Sequence, residues 1–249
     1  MSSMLIGLGV ALADPPAPII PDYGEPSACV SANSGFCVQW FLQEWSSIFA
    51  PALVQHIELS AIAVVIGFTV AFLAALAAHR YRWVGPPVGG IATFLYILPP
   101  LALFELLVPL TGLTVLTVEI ALVGYTLLVL FRNILTGLRN VSPAIRRAGV
   151  GMGLTRSQIL WRIEIPIAVP AIISGLRVAT VLTISLVTIA AFVIDAGLGS
   201  PILKALQSPF NTQFVAAGAL AILLGLAADG AFVLLGRVLT PWARARRAG

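Results

Sequence analysis

Residues 57–78 read IELSAIAVVIGFTVAFLAALAA, an apolar stretch with few ionisable side chains. An α-helix rises about 1.5 Å per residue, so ~20 apolar residues cross the ~30 Å hydrocarbon core of a bilayer. This stretch therefore predicts a membrane-spanning helix. Four further apolar stretches support the same interpretation, at 86–111, 114–133, 167–194 and 213–236.

The composition also indicates that lipid is the solvent. The 249 residues are 59% hydrophobic and 10% charged, and the mean hydropathy is +1.02. Soluble globular domains carry roughly 25% charged residues. The apolar stretches lack the in/out alternation of barrel strands, and a lone helix satisfies its own backbone in hydrocarbon. We therefore predict an all-α integral membrane protein with five transmembrane helices.

The positions of the basic residues predict the orientation. The net charge is +4 and the pI is about 9.6, but the charges follow membrane spans and form no nucleic-acid patch. By the positive-inside rule they mark the cytoplasmic side, which puts the N-terminus outside and the C-terminus inside. The marking residues are Arg80, Arg82, Arg132, Arg139, Arg146, Arg147, Arg156, Arg162, Arg237, Arg244, Arg246 and Arg247.

Three regions follow from this pattern. Residues 1–50 are predicted to be an external segment, 51–240 a transmembrane domain, and 241–249 a basic cytoplasmic tail. Within the external segment, Met4–Ala13 is apolar without a preceding Lys or Arg, which favours an interfacial segment over a cleaved signal peptide. Gln39–Pro51 is rich in aromatic residues and predicts a short interfacial helix, although packing against other helices would use the same residues.

The two cysteines, Cys29 and Cys37, both fall in the external segment. An oxidising compartment would allow a disulfide between them. Two unpaired thiols in a loop are the alternative, because spacing alone does not fix the geometry.

The longest cytoplasmic loop contains two predicted helices. Ser142-Pro143 opens the first, because serine caps a helix and proline is tolerated in its first turn. Gly151 and Gly153 then break the run, and Thr155 opens the second helix. The loop, 140–166, is expected to lie on the membrane surface as a helix-turn-helix.

The same loop carries a spaced motif. From Arg147 it reads Arg-Ala-Gly, three residues, Gly153, nine residues, then Ile163-Glu-Ile-Pro166. This resembles the EAA signature of ABC importer permeases, which reads Glu-Ala-Ala, three residues, Gly, nine residues, Ile-x-Leu-Pro. Arg147 and Gly149 depart from the family's Glu and Ala, and the first departure reverses a charge.

The resemblance implies a coupling function and a set of partners. In the family this loop is the coupling helix of a type I importer permease, which docks on a separate ATPase subunit that binds ATP and Mg²⁺. The expected partners are that ATPase, a second permease subunit (identical or homologous) and an external substrate-binding protein, all at a bacterial inner membrane. The alternative is a solvated basic surface. The ATPase-coupling residues would be Pro143, Arg147, Ala148, Gly149, Gly153, Ile163 and Pro166.

The resemblance over 56–240 is strongest to permeases for glycine betaine, carnitine and choline. It includes Tyr125–Asn133, Ile173–Leu182 and Gly197-Leu-Gly199. The solute would then be a quaternary ammonium osmoprotectant. A methionine-like amino acid is the alternative solute, and an ion-coupled secondary transporter or a membrane scaffold is the alternative class. No inverted repeat, which a secondary transporter would predict, is visible in the sequence.

A candidate translocation pathway lies in the second predicted span. Residues 96–102 read Tyr-Ile-Leu-Pro-Pro-Leu-Ala where the subfamily has Gln-Thr-Ile-Pro-Ser-Leu-Ala. Pro99 and Pro100 lack amide donors and should break or kink the helix, either at a pathway or for packing alone. Tyr96 could contact a quaternary ammonium through its ring, or instead pack against lipid or a helix.

The ionisable residues most clearly inside the predicted spans are Glu105, Arg177 and Asp229. Such groups cost at least ~2.5 kcal/mol at the centre of a membrane helix, so they tend to face a cavity or a partner. We expect Arg177 and Asp229 to pair, with snorkelling of Arg177 as the alternative. Glu105 would attract a cation or simply be hydrated.

Catalytic and metal sites are not expected. The only lysine, Lys204, stands in Ile-Leu-Lys-Ala and not in a phosphate-binding Gly-Lys-Ser/Thr loop, so this chain should not hydrolyse ATP or bind a cofactor. His56 and His79 flank one span at opposite ends and cannot share a metal, so each is interpreted as an interfacial residue.

Overall fold

The computed structural model describes residues 28–33 and 35–241, and the regular elements among them are helices. Short stretches with π-type hydrogen bonding, Trp45–Phe49 and Leu160–Glu164, directly precede two of the long helices. The α-helices are α1 Ala28–Ala32, α2 Val38–Gln43, α3 Ala50–Arg80, α4 Gly85–Ile97, α5 Pro100–Thr111, α6 Val115–Arg139, α7 Pro143–Gly151, α8 Arg156–Ile159, α9 Ile165–Ala190, α10 Gly199–Gln207 and α11 Asn211–Leu239.

Within the described residues, four helical stretches are long and apolar enough to cross a membrane. They agree with the first, third, fourth and fifth predicted spans, except that the fourth helix ends at Ala190 and not at 194. The bent pair α4 and α5 adds a fifth crossing if it forms one span. The four continuous stretches are Trp45–Arg80, Val115–Arg139, Arg156–Ala190 and Asn211–Leu239.

The second predicted span, 86–111, is not one helix. Its two halves, α4 and α5, meet at 103°. The break falls where the sequence predicts it, because Pro99 and Pro100 offer no amide to continue the hydrogen bonding of α4. Pro100 instead starts α5, where its missing donor costs nothing.

Small residues allow α6 to lie close to both α3 and α9. Gly67 of α3 faces Thr126 so closely that a Cβ on Gly67 would overlap the threonine side chain. Gly175 of α9 faces Asn133, and an added Cβ would lie 2.7 Å from the Cβ of Asn133. Membrane helices associate through such close backbone contacts, since lipid provides no hydrophobic driving force between them. Helix α6 is therefore the centre of the packed unit.

The segment before α3 is closed on itself by a disulfide and is held to the rest of the fold by aromatic packing. Cys29 and Cys37 are joined, with Cα atoms 5.9 Å apart. Residues 39–51 do not form one separate helix but lead through α2 into α3. In this stretch, the ring of Trp40 packs edge-on against Phe210 at a centroid distance of 4.7 Å. Packing against other parts of the chain, the alternative given above, therefore describes this aromatic cluster. Met4–Ala13 and residues 242–249 lie outside the described residues.

Candidate functional site

Helix α7 begins and ends as its sequence predicts. The hydroxyl of Ser142 accepts a hydrogen bond from the amide of Ala144 at 3.3 Å, and Pro143 occupies the first turn. The helix ends at Gly151. A serine cap satisfies an amide that would otherwise lack a partner, so these residues fix where α7 starts.

The turn from α7 to α8 is also fixed by local chemistry. Gly153 has φ of 78°, a left-handed conformation that disfavours residues with a Cβ. Thr155 and Gln158 then form a capping box, in which the Gln158 Oε1 accepts from the Thr155 amide at 2.8 Å. Such reciprocal capping satisfies two free amides. The loop is therefore a defined helix-turn-helix.

Gly149 is the contact point between α7 and the chain that follows α8. A Cβ on Gly149 would lie 3.2 Å from Cγ1 of Ile159 and 3.2 Å from Cδ1 of Ile163. The departure from the family's alanine therefore has a structural reason, because glycine leaves room for these two isoleucines. Two of the motif positions, Gly149 and Ile163, meet here.

The exposed residues of α7 and its C-cap present a mixed basic and apolar surface. Arg147 and Ala148 are exposed. Ile145, Val150 and Met152 are exposed as well, and Met152 is 70% accessible. A cluster of exposed apolar side chains outside the membrane spans is typical of a protein contact surface. We call Ile145, Arg147, Ala148, Val150 and Met152 the α7 surface.

A buried carboxylate holds α7 to the helices. Glu164 is only 5% accessible. Its Oε1 lies 2.6 Å from Nε of Arg146 in α7, and its Oε2 lies 2.8 Å from Nε2 of His79 near the end of α3. Arg146 also donates to the carbonyl of Leu138 at 2.8 Å. We call Glu164, Arg146 and His79 the brace.

The brace was not predicted from the sequence. His79 was interpreted as an interfacial residue, yet it is half-buried and paired with Glu164. Glu164 stands inside the Ile163-Glu-Ile-Pro166 motif, and a lone acidic residue between apolar neighbours was the available signal. Pro166 lies at the start of α9, directly after the brace.

The predicted pairing of Arg177 with Asp229 is confirmed. The guanidinium of Arg177 in α9 binds the carboxylate of Asp229 in α11 in a bidentate manner. Its Nε donates to Oδ1, and its Nη2 donates to Oδ2 at 2.7 Å. The fork of arginine matches a carboxylate in this geometry.

Asp229 also lines an apolar groove between α9 and α11. The groove has a volume of about 510 Å³ and includes Ile184, Thr188 and Ile222. Its lining contains no residue of α4 or α5. The Arg177–Asp229 pair and the helix break at Pro99–Pro100 are therefore two separate places in the fold.

The helix break is stabilised by a tyrosine of α6. The hydroxyl of Tyr125 donates to the carbonyl of Leu98, a group freed by the end of α4. Tyr96 is 39% accessible, and its ring lies 6.0 Å from that of Tyr125. The break thus places an accessible tyrosine ring beside a protein-capped carbonyl. Glu105 is exposed on α5, beyond the break.

His56 has a fully buried side chain that makes two hydrogen bonds within the protein. Its Nε2 donates to the carbonyl of Ile184 at 3.0 Å, and its Nδ1 accepts from the amide of Leu198 at 3.1 Å. Neighbouring Gln55 accepts from the amide of Gly197 at 2.9 Å. These bonds fix the loop after α9. In the part of the chain that is described, no group of three His, Cys, Asp or Glu side chains could hold a metal.

Glu119 of α6 is a further buried carboxylate that sequence reasoning missed. It is 8% accessible. Neither carboxylate oxygen has a hydrogen-bond partner among the described residues. Its position inside the predicted third span was the signal that could have identified it. An unpartnered carboxylate in this position costs free energy.

Comparison with known protein families identifies a match over most of the chain. The family model of binding-protein-dependent transport system inner membrane components matches residues 63–240. OsmW, an osmoprotectant import permease of Salmonella typhimurium, is 36% identical over 192 residues, covering 75% of this chain and 89% of the relative. OpuCD, a carnitine transport permease of Listeria monocytogenes, is 34% identical over 191 residues, covering 75% of this chain and 84% of the relative.

A third relative and two solved structures agree with these matches. OpuBB, a choline transport system permease of Bacillus subtilis, is 31% identical over 188 residues, covering 75% of this chain and 86% of the relative. An inward-facing structure of the MetNI methionine ABC transporter matches with a TM-score of 0.68 at 16% identity, over 82% of this chain and 98% of that one. An amino acid ABC transporter matches with a TM-score of 0.66 at 15% identity, over 80% and 97%. At these identities the structures show a shared fold.

Proposed function

Because the chain belongs to the family of binding-protein-dependent transport inner membrane components, and is thus an ABC importer permease subunit, we propose that it carries a quaternary ammonium osmoprotectant. Glycine betaine, carnitine and choline are the candidate solutes. The relatives named for osmoprotectant, choline and carnitine transport support this choice, at 31–36% identity over 75% of the chain. The family match also argues against the two alternative classes of protein, a secondary transporter and a membrane scaffold.

The observation that supports the coupling mechanism best is the α7 surface on its brace. A partner that pushes on exposed Arg147, Val150 and Met152 pushes on a helix that Glu164 ties to α3 and α9. The α7 surface therefore docks on the ATPase subunit and passes its motion to the membrane helices. Arg147 stands where the family has Glu, so it would meet an acidic or neutral group on the ATPase subunit.

The proposed topology has five crossings, with the N-terminus outside and the C-terminus inside. The bent pair α4 and α5 counts as one crossing. Residues 1–50 then form an external segment and 241–249 a basic tail at the inner surface. Arg80 at the end of α3, Arg82 just after it, and Arg139 at the end of α6 lie on the side that this orientation makes cytoplasmic.

The working assembly contains two permease subunits, two ATPase subunits and an external binding protein. ATP and Mg²⁺ bind on the ATPase, and this chain holds no cofactor. The second permease subunit is identical or homologous. Closure of the ATPase pair supplies the free energy that shifts the permease between its two access states.

The pathway passes the helix break and the polar pair of α9 and α11. Tyr96 offers an accessible ring to a cationic methylammonium group, an attraction of roughly 0.5–2 kcal/mol. Pro99 and Pro100 hold the break open, and Glu105 attracts the cation toward it. Arg177 and Asp229 form a gate toward the inner side. The alternative solute is a methionine-like amino acid.

The solute is tested with the purified complex reconstituted in liposomes. Glycine betaine, choline, carnitine and methionine are each supplied on the cognate binding protein, and ATPase stimulation is measured. We expect stimulation by one of the quaternary ammonium solutes. Stimulation by methionine alone would overturn the proposed solute while leaving the permease assignment intact.

The docking surface is tested with Val150→Ser/Met152→Ser, which replaces two exposed apolar side chains of the α7 surface. We expect less ATPase to copurify, with unchanged helical content. The matched control is Leu223→Ser/Leu226→Ser on exposed α11, a change that removes apolar surface away from α7. Equal copurification of both variants with the ATPase would refute α7 as the docking helix.

A further inference from the structure

A basic cavity lies beside the brace, at the end of the helices that carries α7. Its volume is about 730 Å³. Arg82 follows α3, Arg132 and Arg139 project from the last turns of α6, and Arg146 comes from α7. Four guanidinium groups from three separate parts of the chain therefore converge on one space.

Most of this positive charge is uncompensated. Arg146 is paired with Glu164, and that carboxylate is shared with His79. Within residues 28–33 and 35–241, the ion pairs with carboxylates do not include Arg82, Arg132 or Arg139. Arg132 donates to the hydroxyl of Thr93 at 3.1 Å, a neutral partner. The cavity therefore concentrates three cationic groups without a protein anion.

The remaining wall of the cavity is apolar. Phe131 and Leu135 of α6 line it together with Pro86 of α4. Trp83, in the loop between α3 and α4, is 75% accessible, as is typical of an aromatic residue at a membrane interface. A ligand that satisfies both walls has an anionic head and an apolar tail.

We propose that this cavity binds a phosphate group, supplied by the headgroup of an anionic phospholipid. Planar guanidinium groups bind phosphate oxygens in bidentate pairs, and basic pockets between membrane helices bind anionic headgroups. Soluble phosphate has the same charged group but no apolar part that could contact the apolar wall. The bound headgroup lies next to Arg146, so it also neighbours the brace of α7.

The test compares lipid retention by the full complex, purified in detergent from an equimolar mixture of phosphatidylglycerol and phosphatidylcholine. Native mass spectrometry counts the bound lipids. The cavity variant is Arg132→Gln/Arg139→Gln. The matched control is Arg156→Gln/Arg162→Gln, which removes the same charge from exposed residues that do not line the cavity.

We expect phosphatidylglycerol to be preferred by the wild type and by the control. The cavity variant should lose about 30-fold in that preference, equivalent to ~2 kcal/mol for two arginines near a membrane surface. Arg82→Gln changes a loop residue outside the helices and should lose about 5-fold in the same lipid preference. This single variant replaces the double variant if the latter misfolds.

The second arm adds inorganic phosphate to the complex in phosphatidylcholine alone and measures thermal stabilisation. If phosphate stabilises the complex but the wild type shows no preference for phosphatidylglycerol, the cavity is a phosphate site whose ligand is soluble and not a lipid. Equal lipid preference in wild type, cavity variant and Arg82→Gln, without phosphate stabilisation, would overturn the site. Neither result depends on which solute the permease carries.

Discussion

The brace predicts a large effect of a single atom change, Glu164→Gln. The substitution keeps the side-chain shape but replaces one carboxylate oxygen with an amide group that donates hydrogen bonds. Arg146 pairs with that carboxylate by charge, its Nε lying 2.6 Å from Oε1, and His79 hydrogen-bonds to it at 2.8 Å. One of them will face a donor, and the positive charge of Arg146 will lose its counter-charge.

The magnitude follows from the burial of the three side chains. Hydrogen bonds to charged groups contribute about 1.5–3 kcal/mol each, and removing one partner of a fully buried pair costs about 3–5 kcal/mol. The Glu164 side chain is 7% accessible but that of Arg146 is 34% accessible, so water screens part of the loss. We expect the free energy of unfolding to fall by about 2 kcal/mol.

The assay is equilibrium unfolding of the permease in mild detergent with increasing dodecyl sulfate, followed by circular dichroism. Solute-stimulated ATPase activity of the complex should fall in the same variant, since α7 is no longer tied to α3 and α9. The control is Glu58→Gln, the same change at an exposed position of α3, where substitutions typically change stability by less than about 0.5 kcal/mol. Equal stability of the two variants would refute the brace.

Further substitutions at three places in the fold test other features of the structure. Gly149→Ala introduces the family's own residue and should change stability by less than about 1 kcal/mol in thermal unfolding, because the gain in helix propensity offsets the small displacement of Ile159. Gly149→Leu should release α7 and reduce ATPase copurification. Equal behaviour of the two variants would contradict the contact. Arg177→Asp/Asp229→Arg should recover stability lost in either single variant, measured by thermal unfolding; additive losses would argue against the pair. Glu119→Gln should leave stability unchanged or raise it in the same measurement, since the amide carries no charge to desolvate; a clear loss would mean that the carboxylate has a partner such as water.

Features set by local chemistry could be predicted from the sequence. The ends of α7 follow from Ser142 and Gly153, and the break before α5 follows from Pro99 and Pro100. The Arg177–Asp229 pair was predicted from depth alone, because two opposite charges in the same half of the bilayer have few other partners. The angle of the break, 103°, could not be predicted, because it depends on what α5 packs against.

Features set by distant contacts could not be predicted. His56 meets the loop at Leu198, and His79 meets Glu164. Each pairing depends on how α3 is placed against α9, and no local pattern encodes that register. The buried partners of both histidines were missed for this reason. Arg82 and Arg139 were correctly used as markers of orientation, but their convergence on one cavity appears only in three dimensions.

Helix α9 links the two ion pairs, and its packing determines how motion can reach the groove. It starts directly after Glu164 and carries Arg177 about 20 Å farther along, at ~1.5 Å per residue. Near this start it lies tightly on α6, where a Cβ on Gly137 would be 2.9 Å from the Cβ of Ala171. Packed backbones at this distance move together, so a displacement of α7 moves α6 and α9 as one body. Helix α11 has only Thr212, Ala216 and Ala217 buried, and its bond to α9 at the groove is one accessible ion pair. A relative movement of α9 and α11 would have to break the Arg177–Asp229 pair, because that pair joins the two helices at the groove.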